Sequence, residues 1–254
     1  MKWIKSLFFL ALTIVTCSCS KEELECSNCT DISLAKDMKV SIIGDSYSTF
    51  KGYLSPSSNP TYYPKTVTEV TEVSHTWWHQ FITQNQLRLE CNNSYSGSTV
   101  ARKQNANGSS YVERYPELGN PDLIFVFGGT NDSWQGIPVG DYQYSDWEED
   151  DLLYFRPAFA YLLNRLQQTY PDAQIVNLIN TGLKKDYKEA METICQYYHV
   201  CNISLGDFEK VNGHPTKKGM ESICQQITQI LAKKQQNKSY KYIIKTIQTL
   251  CKTM

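Results

Sequence analysis

The sequence predicts one α/β domain of three layers, α/β/α, in which helices cover both faces of a central, mostly parallel sheet. Short apolar runs alternate with segments whose apolar residues recur at helical spacing, and this alternation is typical of parallel sheets. A length of 254 residues suits a single domain with a full core. Polar turns follow several of the apolar runs, at the edge where such sheets bind ligands.

The elements alternate along the chain from residue 38 onward. Strands are predicted near 38–43, 88–92, 123–127, 173–179 and 200–205, and helices near 76–87, 150–169 and 184–199. A last helix is predicted to begin at Pro215 and Thr216. The pair Trp77 and Trp78, in the first helix, is expected in the core rather than at a binding surface.

Two segments, 51–73 and 133–149, are too long and irregular to be simple connections. Such loops often form binding sites, and these carry aromatic residues that either pack the loops or stack on sugar rings: Tyr53, Tyr62, Tyr63, Trp134, Tyr142, Tyr144 and Trp147.

The first residues have the pattern of an export signal. Lys2 and Lys5 precede an apolar stretch, 7–15, that is too short to span a membrane. The stretch ends in Thr16-Cys17-Ser18-Cys19, which resembles a bacterial lipoprotein signal, and small Ser18 favours Cys19 over Cys17 as the lipidated residue. The alternative is an ordinary cleaved signal followed by a polar linker.

Four segments are expected: a signal peptide at 1–19, a tether at 20–36, the α/β domain at 37–232 and a basic extension at 233–254. The acidic stretch after Cys19 resembles the signal that sends some lipoproteins to the outer face of the outer membrane. The extension has six lysines and no acidic residue, which favours a solvated tail or helix over a membrane contact.

Nine cysteines occur in a chain whose predicted export permits disulfides. Cys26 and Cys29 have the spacing of a redox or zinc pair, but no second pair stands at matching spacing. They fall in the predicted tether, and we interpret them as structurally unimportant. No metal-binding motif is visible, because His75, His79 and His199 lack partners at ligand spacing, and no cofactor is predicted.

The charge is balanced, with 25 basic and 26 acidic residues. Such a chain has no global field to attract nucleic acid, which is therefore not expected as a partner.

Four short blocks carry the chemistry. Gly44-Asp45-Ser46 follows the first apolar run, Gly97 lies in a polar turn, Gly129-Thr130-Asn131-Asp132 follows the run at 123–127, and His214-Pro215 comes near the end of the domain. A serine hydroxyl needs a base to take its proton and donors to hold the oxyanion that forms.

These blocks resemble those of the SGNH (GDSL-type) hydrolase family, over roughly residues 38 to 232. The resemblance implies a flavodoxin-like fold, Ser46 as nucleophile and His214 as general base and acid. It also implies an oxyanion hole made by the N–H groups of Ser46 and Gly97 and the side-chain amide of Asn131.

One position departs from the family pattern. Members usually have Asp three residues before the histidine, but Val211 stands there. The imidazole must then be oriented by Asn212, Glu209, Asp207 or a backbone carbonyl, or the site works as a Ser-His dyad.

The sequence thus predicts a surface serine esterase that removes small acyl groups, acetyl above all, from carbohydrate. Its expected partners are an ester of a small molecule or polysaccharide and the membrane that holds its lipid. The alternatives are a lipase or lysophospholipase, and a catalytically silent glycan-binding lipoprotein, for which Val211 is the best argument.

Overall fold

The computed structural model describes residues 26–29, 32–104 and 108–232. Six strands form the central sheet in the order β1-β6-β5-β4-β2-β3. Their bounds are β1 Cys26–Ser27, β2 Lys39–Gly44, β3 Arg88–Ser94, β4 Leu123–Gly128, β5 Gln174–Ile179 and β6 Cys201–Ser204. Strands β2 to β6 run parallel, whereas β1 is antiparallel to β6.

The helices are α1 Trp77–Gln84, α2 Tyr111–Arg114, α3 Thr130–Gln135, α4 Phe155–Thr169, α5 Lys185–Tyr197 and α6, which covers 217–232. A separate hairpin, β7 Lys210–Val211 and β8 His214–Pro215, lies between β6 and α6.

Alternation along the strands divides the core into two halves, because successive side chains of a strand point to opposite faces. Ile42 and Phe125 pack with α1 and α6 on one face, whereas Ile43 and Val126 pack with α4 and α5 on the other. The predicted three-layer α/β/α fold is confirmed. Trp77, which is fully buried, and Trp78 lie in the core as expected.

The helix α1 ends at Gln84 rather than near 87, and two helices begin later than predicted. A single 3-10 turn, Asp151–Leu153, precedes α4, which begins only at Phe155. Pro215 belongs to β8 rather than to the last helix, and the Thr216 hydroxyl accepts a hydrogen bond from Gly219 N–H in the first turn of α6.

The interpretation of Cys26 and Cys29 as structurally unimportant is wrong. Cys26 pairs with Ile203 in the sheet, and Cys29 forms a disulfide with Cys201 across 172 positions of sequence. This part of the predicted tether is a sheet strand that is covalently joined to β6.

Several predictions concern residues outside the described part of the chain. The signal at 1–19, lipidation at Cys19 or Cys17 and the basic extension at 233–254 all lie there. Within the described residues, no helix combines the length and the apolar character that crossing a bilayer requires.

Candidate active site

Ser46 and His214, which are 168 positions apart in sequence, meet at the carboxyl edge of the sheet. Ser46 follows β2 directly and opens a 3-10 turn, Ser46–Ser48. The turn begins at Asp45, whose carboxylate accepts a hydrogen bond from Tyr47 N–H at 3.0 Å. His214 opens β8, and its Nε2 lies 3.0 Å from the Ser46 Oγ. The serine is therefore in hydrogen-bond contact with the predicted base.

The other imidazole nitrogen contacts a backbone carbonyl. Nδ1 of His214 lies 3.0 Å from the oxygen of Asn212. A carbonyl has no proton to give, so this hydrogen bond requires the proton on Nδ1. Nε2 is then left free to accept from the Ser46 hydroxyl, which is the tautomer that a base requires.

A tight hairpin turn presents this carbonyl to the ring. Asn212 and Gly213 both have positive φ, at 51° and 76°, between paired residues Val211 and His214. Asn-Gly is the preferred pair for such two-residue turns. The Tyr47 hydroxyl donates to the Gly213 carbonyl and so joins the hairpin to the segment that carries Ser46.

The two neighbouring carboxylates make other contacts. Glu209 accepts a hydrogen bond from the Thr216 hydroxyl at 2.6 Å, and Asp207 accepts one from the Thr181 hydroxyl at 2.6 Å. Of the groups considered from the sequence, the backbone carbonyl of Asn212 is the one that contacts the imidazole.

The surroundings of His214 favour its neutral form. Burial lowers the pKa of His214 below its ordinary value, the hydrogen bond to Asn212 opposes this, and the nearby charge of Lys65 lowers the pKa further. The ring is therefore a free base at neutral pH.

Gly97 and Asn131, the other two predicted site residues, belong to turns at the same edge of the sheet. Gly97 has a φ of 85°, which a side chain would disfavour, and a Cβ placed there would meet no atom within 4 Å. Asn131, in the first turn of α3, donates from Nδ2 to the carbonyl oxygen of Ser98 at 2.9 Å. Since an amide has two N–H donors, one is left for another acceptor.

A buried arginine, which the sequence did not single out, joins these turns. The guanidinium of Arg114 donates to the carbonyl of Gly44 at 3.3 Å and to the hydroxyl of Ser98 at 3.1 Å. It also donates to the side chain of Asn93, at the end of β3, at 2.9 Å. Arg114 therefore fixes the turn before Ser46 relative to the turn of Gly97.

Two buried carboxyl groups lie behind the site. Burial raises the pKa of Asp45 to about 7, against the hydrogen bond from Tyr47, and raises that of Asp132 to about 6. Asp132 accepts hydrogen bonds from the N–H groups of Val100 and Ala101, at 2.9 and 3.1 Å. This contact holds the segment after Gly97 against α3.

Four aromatic residues of the two long loops show two kinds of environment. Tyr62 stacks on the His214 ring, with centroids 3.6 Å apart, and Trp134 meets that ring edge-on at 6.2 Å. Tyr144 and Trp147 instead pack against the core on the α4 and α5 side. Aromatic residues of both loops thus reach the site, but only from some positions.

The described residues contain no group of three or more His, Cys, Asp or Glu side chains that could hold a metal ion.

Comparisons with known proteins identify related sequences and structures. The family model described as GDSL-like lipase/acylhydrolase matches residues 38–231. No curated protein matches the chain. A crystal structure from Bacteroides ovatus, assigned as a GDSL-like lipase, is 46% identical with a TM-score of 0.76 and covers 78% of this chain and 100% of its own. A second, from Bacteroides uniformis and with the same assignment, is 48% identical with a TM-score of 0.74 and covers 77% and 96%.

A more distant structure shares the fold. The acetyl xylan esterase Est2A from Butyrivibrio proteoclasticus is 17% identical with a TM-score of 0.53, and the match covers 80% of this chain and 65% of Est2A. The family match covers most of the chain and includes all four blocks. The chain therefore belongs to the GDSL-like lipase/acylhydrolase family and is a hydrolase of ester bonds.

Proposed function

We propose that the protein is a serine esterase that removes small acyl groups, acetyl above all, from carbohydrate. The observation that carries the proposal is the contact of Ser46 Oγ with His214 Nε2 at 3.0 Å, together with the carbonyl of Asn212 on Nδ1. The first contact activates the hydroxyl, and the second fixes the tautomer.

The reaction proceeds in two halves. Nε2 of His214 takes the proton of Ser46 while Oγ attacks the ester carbonyl, and the N–H groups of Ser46 and Gly97 and the amide of Asn131 bind the resulting oxyanion. The intermediate collapses when the imidazolium returns the proton to the leaving alcohol. Water then attacks the acyl-serine with the same base, which releases the acid and restores Ser46.

The surroundings of the histidine support a carbohydrate alcohol. Tyr62 and Trp134 flank His214, and Trp134 is 50% exposed, so that an aromatic surface stands beside the reacting atoms. Aromatic faces offer apolar area to sugar rings. An acetyl xylan esterase has the same fold.

The enzyme is tested with p-nitrophenyl esters of increasing acyl length, using the chain without residues 1–19. We expect acetyl ester to be the best substrate, and both Ser46→Ala and His214→Ala to reduce turnover by about three orders of magnitude or more. Acetate release from acetylated polysaccharides then tests whether the alcohol part of the substrate is a carbohydrate.

Other outcomes favour other functions. A preference for long acyl chains would favour a lipase or lysophospholipase. If wild type and variants were equally inactive on every ester, the glycan-binding alternative would replace the enzyme.

We propose further that the protein is exported and anchored on the cell surface through lipid on Cys19. The order of basic, apolar and small residues before this cysteine supports the proposal. Labelling with a radioactive fatty acid should mark the wild type and Cys17→Ser but not Cys19→Ser. If Cys17→Ser lost the label and Cys19→Ser kept it, Cys17 would be the lipidated residue.

A further inference from the structure

The Tyr62 ring lies flat on the imidazole of His214. The two ring centroids are 3.6 Å apart, and the planes differ by 4°. The ring nitrogens of His214 meet Ser46 on one side and the Asn212 carbonyl on the other. The imidazole is thus held at both nitrogens and on one face.

The fold fixes Tyr62 from both halves of the site. Its N–H donates to the Thr49 hydroxyl at 2.9 Å, and that hydroxyl donates to the carbonyl of Ser46 at 3.0 Å. The next residue, buried Tyr63, donates from its own hydroxyl to the carbonyl of Pro215 at 2.7 Å. The loop therefore links the stacked ring both to the segment that carries Ser46 and to the hairpin that carries His214.

The stacking matters because Val211 stands where a carboxylate would otherwise stabilise the imidazole. A base that takes a proton becomes an imidazolium, which a carboxylate usually stabilises and keeps in orientation. The Asn212 carbonyl accepts the Nδ1 hydrogen bond but carries no full charge. An aromatic face attracts a cation placed over it, since its π-electrons carry partial negative charge.

We propose that Tyr62 is a positioning residue, which packs on one face of the His214 imidazole and stabilises its protonated form. It thereby does what a carboxylate does in a full triad. The proposal rests on the esterase function proposed above. It assigns the loop at 51–73 a part in catalysis in addition to any contact with substrate.

The other groups around the imidazole do not supply this contact. Tyr47 is tilted at 57° with its centroid 5.7 Å away, and Trp134 presents an edge geometry at 6.2 Å. Lys65 lies 5.5 Å from the Tyr62 centroid, and Lys210 lies 5.8 Å from that of Tyr47. The charge of Lys65 opposes an imidazolium, so the stacked ring is the favourable contact.

Kinetics of the full chain, purified in detergent, test the proposal. Tyr62→Leu should lower kcat about 5- to 30-fold, with KM within about twofold, whereas Tyr62→Phe should stay within about twofold of wild type in both constants. Tyr53→Leu removes an exposed tyrosine of the same loop that packs on Phe50 and Trp78. It should leave kcat unchanged, and thermal unfolding will show that each variant is folded.

A second readout does not require activity. In protein labelled with ¹⁵N and ¹³C at histidine, stacking should shift the His214 ring protons upfield in wild type and Tyr62→Phe but not in Tyr62→Leu. The nitrogen shifts, followed against pH, should also give a lower pKa for His214 in Tyr62→Leu than in wild type and Tyr62→Phe, because the stacked ring stabilises the imidazolium.

The outcomes separate the two proposals. If no ester is cleaved while the ring shift and the pKa of His214 depend on residue 62, the esterase function fails and Tyr62 still holds the imidazole. If esters are cleaved and Tyr62→Leu retains wild-type kcat, or the wild-type ring protons show no upfield shift, the positioning by Tyr62 is overturned.

Discussion

The carbonyl oxygen of Asn212 lies 3.0 Å from Nδ1 of His214, two residues further along the same turn. The group that orients the imidazole thus belongs to the backbone of the hairpin that carries the histidine. The position where related enzymes usually have an aspartate is Val211, whose backbone pairs with His214 in this hairpin. Orientation of the imidazole therefore depends on the conformation of the turn rather than on a side chain.

Replacement of Asn212 by glycine should leave activity nearly intact. Glycine accepts the positive φ of 51° and keeps the carbonyl, so we expect Asn212→Gly to retain kcat/KM within about threefold. Hydrolysis of p-nitrophenyl acetate measures this. A loss as large as that of His214→Ala would mean that the Asn212 side chain, and not its carbonyl, orients the ring.

Gly213→Ala should be much less well tolerated than Asn212→Gly. A Cβ at 213 would lie 3.0 Å from the Trp134 ring, on a backbone with a φ of 76°. The left-handed conformation alone costs a side chain roughly 1–2 kcal/mol. We expect the turn to shift and kcat/KM to fall about tenfold or more, with a lowered Tm. Wild-type values for Gly213→Ala would contradict the dependence on the turn.

Lys65→Gln should move the acid limb of the pH profile to higher pH. The positive charge of Lys65 disfavours the imidazolium and so contributes to the lowered pKa of His214, after burial. Its removal raises that pKa, so the free base is lost at a higher pH as acid is added. Profiles of kcat/KM between pH 4 and 8 will measure the shift, and exposed Lys36→Gln is the control. A limb that stays in place, or moves to lower pH, would exclude this charge effect.

The disulfide should contribute stability rather than activity. Cys29→Ser with Cys201→Ser removes a cross-link across 172 positions of sequence, which typically costs 2–5 kcal/mol. We expect a lower urea midpoint and a lower Tm, with kcat/KM at 25 °C within about twofold of wild type. The buried free cysteine Cys195 provides the control substitution, Cys195→Ala. Unchanged stability of the double variant would contradict a structural part for Cys29.

Arg114→Met should affect both stability and turnover. The carbonyl of Gly44 and the side chain of Asn93 lose a charged donor, although they keep hydrogen bonds from Tyr95 N–H and from the Asn59 side chain. Since hydrogen bonds to a charged group contribute about 1.5–3 kcal/mol each, we expect the free energy of unfolding to fall by about 3 kcal/mol. Because Arg114 also holds Ser98, next to Gly97, we expect kcat to fall about tenfold or more. Urea unfolding and p-nitrophenyl acetate kinetics measure the two effects. Exposed Arg88→Gln should change neither, and a fully active Arg114→Met would refute this linkage.

The sheet and the meeting of the site residues could be predicted from the sequence. Apolar runs at 38–43 and 123–127 indicated parallel strands, and turns after such strands lie at one edge of the sheet. Ser46 and His214 are found together at that edge. Order along the chain and strand direction were sufficient for this inference.

Contacts that depend on backbone torsion or on distant packing could not be predicted. A backbone carbonyl was among the groups considered for orienting His214. That it is the carbonyl of Asn212 depends on a turn of two positive-φ residues, for which the Asn-Gly pair was the available signal. Tyr62 contacts a residue about 150 positions away, and its aromatic character did not distinguish it from Tyr53 or Tyr144. Likewise, the sequence did not indicate that Cys29 and Cys201 form a disulfide.

The direction of β1 determines how a mechanical force on the residues before it would be transmitted to the domain. Cys26 faces Ile203 and Ser27 faces Asn202, so the chain enters the sheet from the carboxyl edge, where Ser46 lies. Cys26 follows Cys19 by seven positions, so an anchor at Cys19 would keep this edge within about 25 Å of the bilayer. A mechanical load on that anchor would be borne by β6, through the β1 ladder and the Cys29–Cys201 bond, and would bypass the turns that carry Ser46 and His214.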